Sequence, residues 1–142
     1  MARESRWAKL EVWDPSRGAW RALPGMGTPR EQSSGCLMSG DRFAVFGGLG
    51  LDLADGSLGI LGSCQTLVLD NGAERWEPLP PMLEARANFA CAAVGGCIIV
   101  VGGRGDNTTL SSAEVYDEAT GVWRRLPCDL PRVMSHMGSA VL

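Results

Sequence analysis

Few side chains here could do acid–base, nucleophilic or metal chemistry. The 142 residues hold one histidine, His136, and one tyrosine, Tyr116. Zinc catalysis needs about three N, O or S ligands converging on the ion, and no His/Cys/acid cluster has that spacing. The five cysteines include no C-x-x-C pair, and Cys36, Cys91 and Cys97 sit inside apolar runs. They read as buried reduced thiols. Serines are plentiful, but none lies in a nucleophile-elbow pattern. Gly47–Gly50 reads Gly-Gly-Leu-Gly and Gly102–Gly105 reads Gly-Gly-Arg-Gly, without the Lys and Ser/Thr of a phosphate loop. Asn107-Thr108-Thr109 fits a glycosylation acceptor and Arg104-Gly105-Asp106 an integrin-type tripeptide; both read as ordinary polar turn. No catalytic residue, metal or cofactor is expected, and His136 reads as structural or solvent-facing.

Charge narrows the partners. Thirteen basic against sixteen acidic residues give a net charge of −3, with no Lys/Arg run. Nucleic acid and anionic membrane are therefore not expected partners. The segment 1–13 is charged and lacks the apolar core of a secretory signal. The most apolar stretch, 89–103, is cut by Gly95-Gly96 and is too short to span a bilayer. A cytoplasmic or nuclear location is the expectation.

The elements that position side chains come from an internal repeat. Trp13-Asp14, Leu69-Asp70 and Tyr116-Asp117 are each followed by a tryptophan six residues after the aspartate, at Trp20, Trp76 and Trp123, and then by Leu-Pro. Gly47 and Gly102, each opening a glycine pair, are 55 residues apart. The interval from Gly48 to Asp70 is 22 and from Gly103 to Asp117 is 14, so the first unit carries about eight extra residues in the loop 49–63. Nineteen glycines and eight prolines suit many tight turns between short strands. Each unit reads as four strands, A to D. These are 33–38, 42–46, 65–69 and 74–79 in the first, and 88–94, 97–101, 113–116 and 122–126 in the second. A C–D pair at 9–14 and 19–23 precedes them, and an A strand at 136–141 follows. The divisions are 8–27, 28–82, 83–130 and 131–142.

These units resemble kelch repeats. The resemblance rests on the double glycines Gly47-Gly48 and Gly102-Gly103, the Tyr116-Asp117 pair, the tryptophans Trp20, Trp76 and Trp123, and Pro-Met or Pro-Gly-Met ahead of Pro-Arg or Ala-Arg. It covers roughly residues 8–142, with a departure at Leu69, where an aromatic is usual. It implies an all-β fold: a partial propeller of about two complete four-stranded blades plus two half blades. The glycine pairs allow close backbone approach, and the tryptophans pack blade on blade.

Arg30 follows Met26 by four, Arg86 follows Met82 by four, and Arg132 is placed equivalently before the last A strand. The resemblance implies that such arginines can line the mouth of a central channel, on the face that carries the B–C loops. Arg30, Arg86 and Arg132, with Asn88, Arg104 and Asp106, are therefore the candidate binding residues, and a basic rim would suit an acidic peptide. The alternative is that each arginine bonds carbonyls of its own blade or a neighbouring acid.

The wording from Trp13-Asp14-Pro15 to Thr28-Pro29-Arg30-Glu31 looks like the kelch regions of F-box/kelch proteins, which are similar to substrate receptors of ubiquitin ligases. The 142 residues contain neither an F-box nor a BTB domain. The expected function is protein–protein interaction, with a protein or peptide partner. The other reading is a fragment of a propeller enzyme or small-ligand binder, sugar-epimerase or specifier-like; the copper-oxidase branch, with several His and Tyr ligands, does not fit. Eleven strands fall short of three blades, whereas propellers use about four to eight. A fragment, a truncated product or self-association through open strand edges is expected.

Overall fold

The computed structural model describes residues 9–52, 55–70 and 73–140. Among them the chain forms thirteen strands and no helix. Two four-stranded antiparallel sheets carry the architecture. One is ordered β4 (Ser34–Met38), β5 (Arg42–Phe46), β8 (Cys64–Val68), β9 (Arg75–Leu79). The other is ordered β10 (Ala90–Val94), β11 (Cys97–Val101), β12 (Ala113–Asp117), β13 (Val122–Arg125). These are the two complete four-stranded blades that the repeat implied, each a meander. Ahead of them β1 (Leu10–Asp14) pairs with β2 (Ala19–Leu23), a half blade made of strands C and D.

Local sequence explains the blades. β5 and β11 read Arg-Phe-Ala-Val-Phe and Cys-Ile-Ile-Val-Val, β-branched and aromatic residues that fit a covered pleated surface. Gly95 and Gly96 close the β10–β11 hairpin at φ +57° and +77°, the left-handed pair of a two-residue turn whose twist matches the strands. Asp14 and Asp117 hold their C–D turns. The Asp14 carboxylate accepts from the Ser16 amide at 2.9 Å, and that of Asp117 from the Ala119 amide at 2.9 Å.

The core lies between the two blades. Phe46, Phe89, Ile98, Val100, Tyr116 and Trp123 are buried in one cluster. The Trp123 ring stands edge-on to Phe46 of the neighbouring blade at 5.9 Å between centroids. Its indole N–H donates to the Pro80 carbonyl at 2.8 Å, and Trp76 makes the equivalent bond to Pro24 at 2.7 Å. These two tryptophans thus tie each blade to the end of the preceding D strand. Trp20 makes no such bond among the described residues: it is 66% exposed, with its ring 5.6 Å from that of Trp13, which is 46% exposed.

Three expectations are corrected. First, no strand forms over 136–140, and Val141 lies outside the described residues. An A strand is held by the B strand of its own blade, and the 142 residues supply no B strand after it. Second, the loop 49–63 holds strands of its own. β6 (Leu49–Leu51) and β7 (Leu58–Ile60) form a hairpin that adds β3 (Arg30–Glu31) as a third strand; residues 53–54 at its tip are outside the described set. Third, Leu69 is not the aromatic position of the middle unit. Trp76 pairs with Leu67, as Trp123 pairs with Tyr116 and Trp20 with Trp13. Leu67 is fully buried where Tyr116 stands in the next blade, and Leu69 is half exposed. The C–D turn of this unit is longer by two residues, which shifts Leu69-Asp70 out of the strand; residues 71–72 of that turn are outside the described set.

Candidate binding face

In a blade whose strands run up and down, the D–A connections and the B–C loops share one end of the sheet. On this end the two glycine pairs set the spacing between blades. Gly47 and Gly48 have φ of +54° and +98°, and Gly102 and Gly103 have +61° and +94°. A Cβ on Gly47 would stand 2.4 Å from the Arg86 carbonyl oxygen, and one on Gly102 would stand 2.6 Å from that of Met134. The following amides use the closeness: Gly48 N–H donates to Arg86 O and Gly103 N–H to Met134 O, both at 2.7 Å. Only glycine permits both the left-handed backbone and the approach.

Those bonds also fix which residues are equivalent, and they overturn the basic rim. Arg86 is 0% exposed and Arg30 is 4% exposed. One terminal nitrogen of Arg86 donates to Gly102 O at 2.8 Å and Ser112 O at 2.9 Å; the other donates to Ser112 Oγ at 2.8 Å. Its charge is balanced by Glu84 at 3.2 Å and by buried Glu114 at 3.3 Å. Arg30 repeats the pattern on Gly47 O and Ser63 O, both at 2.8 Å. Its neighbours are neutral, Gln65 bonding Thr28 where Glu114 and Glu84 stand in the next blade. Burial without an acid works against its charge and lowers its pKa. Both guanidiniums therefore bind their own blades. Arg132 is exposed but is not their equivalent: Met134 takes the position, because its carbonyl receives the Gly103 amide.

The same alignment brings out residues that motif reading passed over. Gln32, Asn88 and His136 occupy one position in three successive units, and all three are non-glycine residues with φ of +55°, +53° and +56°. They form a ladder from blade to blade. Asn88 N–H donates to Gln32 O at 2.9 Å, and His136 N–H to Asn88 O at 2.8 Å. The Asn88 side-chain amide donates to Gln32 Oε1 at 2.9 Å. Gln32 and His136 are exposed and Asn88 half-buried. Non-glycine residues rarely hold this backbone conformation, so three in register mark a position that the inner strands over-determine. The signal in the sequence was the 56-residue spacing of Gln32 and Asn88. His136 also meets Ser135 Oγ at 3.0 Å through Nδ1.

Around the ladder the B–C loops differ in chemistry. Arg104 bridges Ala87 and Thr109, and its side chain and that of Asp106 are exposed. In the first blade the corresponding hairpin presents Leu51, and Leu58 at 75% exposure. There an open cavity of about 400 Å³ is lined by Pro29, Arg30, Glu31, Leu49, Gly50, Leu51 and Leu58. The face thus carries amides and an imidazole at the inner strands, polar groups on one loop and apolar groups on the other. Among the described residues no three His, Cys, Asp or Glu are grouped to hold a metal ion.

Comparison with known proteins agrees with this geometry. Residues 85–129 match the family model described as the Kelch motif. An F-box/kelch-repeat protein of Arabidopsis thaliana is 34% identical over 122 residues, covering 85% of this chain and 31% of the relative. Kelch-like protein 33 of Homo sapiens is 29% identical over 124 residues, covering 87% of this chain and 22% of the relative. The solved structure of YjhT superposes with a TM-score of 0.69 at 21% identity, over 84% of this chain and 34% of that one, a likeness of fold. The chain thus spans between 22% and 34% of the length of each of these proteins. With the glycine pairs, the inter-blade tryptophans and the carbonyl-binding arginines in register, the chain belongs to the kelch-repeat family.

Proposed function

We propose that this chain forms part of a non-catalytic protein-interaction module, and that the intact protein uses it to select substrates for a ubiquitin ligase. The observation that carries the reading is the Gln32–Asn88–His136 ladder: three polar side chains held at one rim, in a conformation that costs of order 1–3 kcal/mol at a non-glycine residue. Loops on a rigid sheet scaffold are where recognition usually resides. With Arg30 and Arg86 withdrawn into the blades, the partner peptide is read mainly by hydrogen bonds to the amides and imidazole. Arg104 and Arg132 supply the positive charge that favours an acidic residue in it. The F-box and kelch-like names of the relatives support the ligase connection. The open edge of β1, with the exposed Trp13–Trp20 pair beside it, is where a further strand would associate, from the same or a second chain.

Affinity purification of the full-length protein tests this. Wild type should capture ligase subunits together with other proteins. A variant carrying Asn88→Gly and Arg104→Glu should keep the ligase subunits and lose most of the others. Absence of ligase subunits would overturn the ligase role, and capture unchanged by the double substitution would overturn the binding face.

A further inference from the structure

Two cysteines lie on the adjoining inner strands of neighbouring blades. β4 and β10 are the inner strands of adjacent blades and lie side by side. Ser34 Oγ donates to the Phe89 carbonyl across this seam. Cys36 and Cys91 follow two residues later on their strands, so each lies on the same face as the residue that makes that tie. Cys36 packs against the buried cluster that contains Cys91. The pair is asymmetric. Cys36 is partly exposed and Cys91 buried. Each thiol is the main influence on the other: Cys91 lowers the pKa of Cys36, and Cys36 raises that of Cys91. The remaining cysteines do not share this setting: burial pushes Cys64 up to about 11, and Cys128 is exposed.

We propose that Cys36 and Cys91 form a reversible inter-blade disulfide that locks β4 to β10. Cys36 is the attacking thiolate and Cys91 the resolving thiol. With hydrogen peroxide as oxidant, the Cys36 sulfur attacks one oxygen, the O–O bond breaks, and Cys36 sulfenic acid and hydroxide form. The Cys91 sulfur then attacks the Cys36 sulfur, the S–O bond of the sulfenic acid breaks with its oxygen leaving as hydroxide, and the S–S bond forms. The protons of the two thiols leave in two molecules of water, the peroxide having taken two electrons. A disulfide here fixes two points 55 residues apart, across an interface otherwise held by packing and hydrogen bonds.

The test uses the full chain with Cys128→Ser, to prevent cross-linking between molecules. It is treated with stoichiometric hydrogen peroxide and mapped as non-reduced peptides by mass spectrometry. Expected is a loss of about 2 Da, a Cys36–Cys91 linked peptide abolished by dithiothreitol, and a rise in melting midpoint of the order of 10 °C. The Cys36→Ser and Cys91→Ser variants should fold and lose both the linkage and the shift. Linkage through Cys64 or Cys97 instead, or accumulation of Cys36 sulfinic acid without a cross-link, would overturn the proposal.

Discussion

The guanidinium of Arg86 donates to the carbonyl of Gly102 at 2.8 Å, with no part of the side chain reaching solvent. The contact joins the D–A connection to the glycine turn at the end of strand B. Arg30 and Gly47 repeat it at 2.8 Å. An arginine at this point of the repeat therefore does the work of a backbone cap, satisfying carbonyls that the glycine turn leaves outside any ladder.

Removal of either arginine is expected to destabilise the fold, to different degrees. Arg86→Ala strands buried Glu114 without its cation, which costs about 3–5 kcal/mol when one partner of a buried pair is lost. Arg30→Ala orphans carbonyls but no acid, at about 1–3 kcal/mol. Urea denaturation of both variants checks the order; equal losses would mean that Glu114 does not depend on Arg86.

How far the sequence revealed this arrangement depends on the spacing. The strands were legible because tryptophans, aspartates and glycine pairs recur near a fixed period, and a strand's apolar run survives small errors of offset. The binding face was not legible in the same way. Arg132 was aligned by residue type, whereas backbone hydrogen bonds place Met134 there. Leu69 was aligned by its distance to Trp76, but a turn two residues longer moves Leu67 into that place. The burial of Arg30 and Arg86 depends on carbonyls 17 and 16 residues further on, at Gly47 and Gly102, which a motif does not display. The left-handed backbone of Gln32 and His136 has no signature, since both residue types are common in ordinary conformations.

Glycine substitutions should divide by contact rather than by φ. Gly47→Ala places a methyl carbon 2.4 Å from a backbone oxygen and is expected to abolish soluble expression or cost more than about 3 kcal/mol. Gly95→Ala has a similar φ of +57° and nothing within 4 Å, so it should cost only about 1–2 kcal/mol. Thermal melts of the two variants decide; a Gly47→Ala protein as stable as Gly95→Ala would show that the blades can separate without loss.

Glu114 gives a pH dependence with a defined sign. Burial raises its pKa above the ordinary 4.5, outweighing the pull of Arg86. The folded state therefore holds this proton more tightly than the unfolded chain does. Its contribution to stability is complete below about pH 4.5 and is lost as pH rises through the raised folded-state value. Glu114→Gln removes the titration and keeps one acceptor oxygen, for either the Glu84 amide, which bonds Oε1, or the Arg86 Nε, which bonds Oε2. The stability of wild type relative to this variant should fall as pH rises through that window. A flat difference would mean that pairing with Arg86 offsets the burial completely.

The ladder residues should behave as side chains retained at a cost. Glycine adopts the left-handed region freely, so Gln32→Gly, Asn88→Gly and His136→Gly each relieve about 1–2 kcal/mol of backbone strain. Each also adds about 0.5–1 kcal/mol of chain entropy to the unfolded state. The backbone bonds Asn88 N–H to Gln32 O and His136 N–H to Asn88 O need no side chain and survive. Melting midpoints should therefore stay level or rise slightly, least so for Asn88, which loses its bond to Gln32 Oε1. Partner capture by the full-length protein should nonetheless drop, most for Asn88→Gly. Arg75→Ala, which removes an exposed ion pair with Glu77 on an outer strand, should change neither. If the three glycine variants bind as wild type does, the ladder is a structural device for spacing the blades; if they unfold, the side chains hold the inner strands rather than a partner.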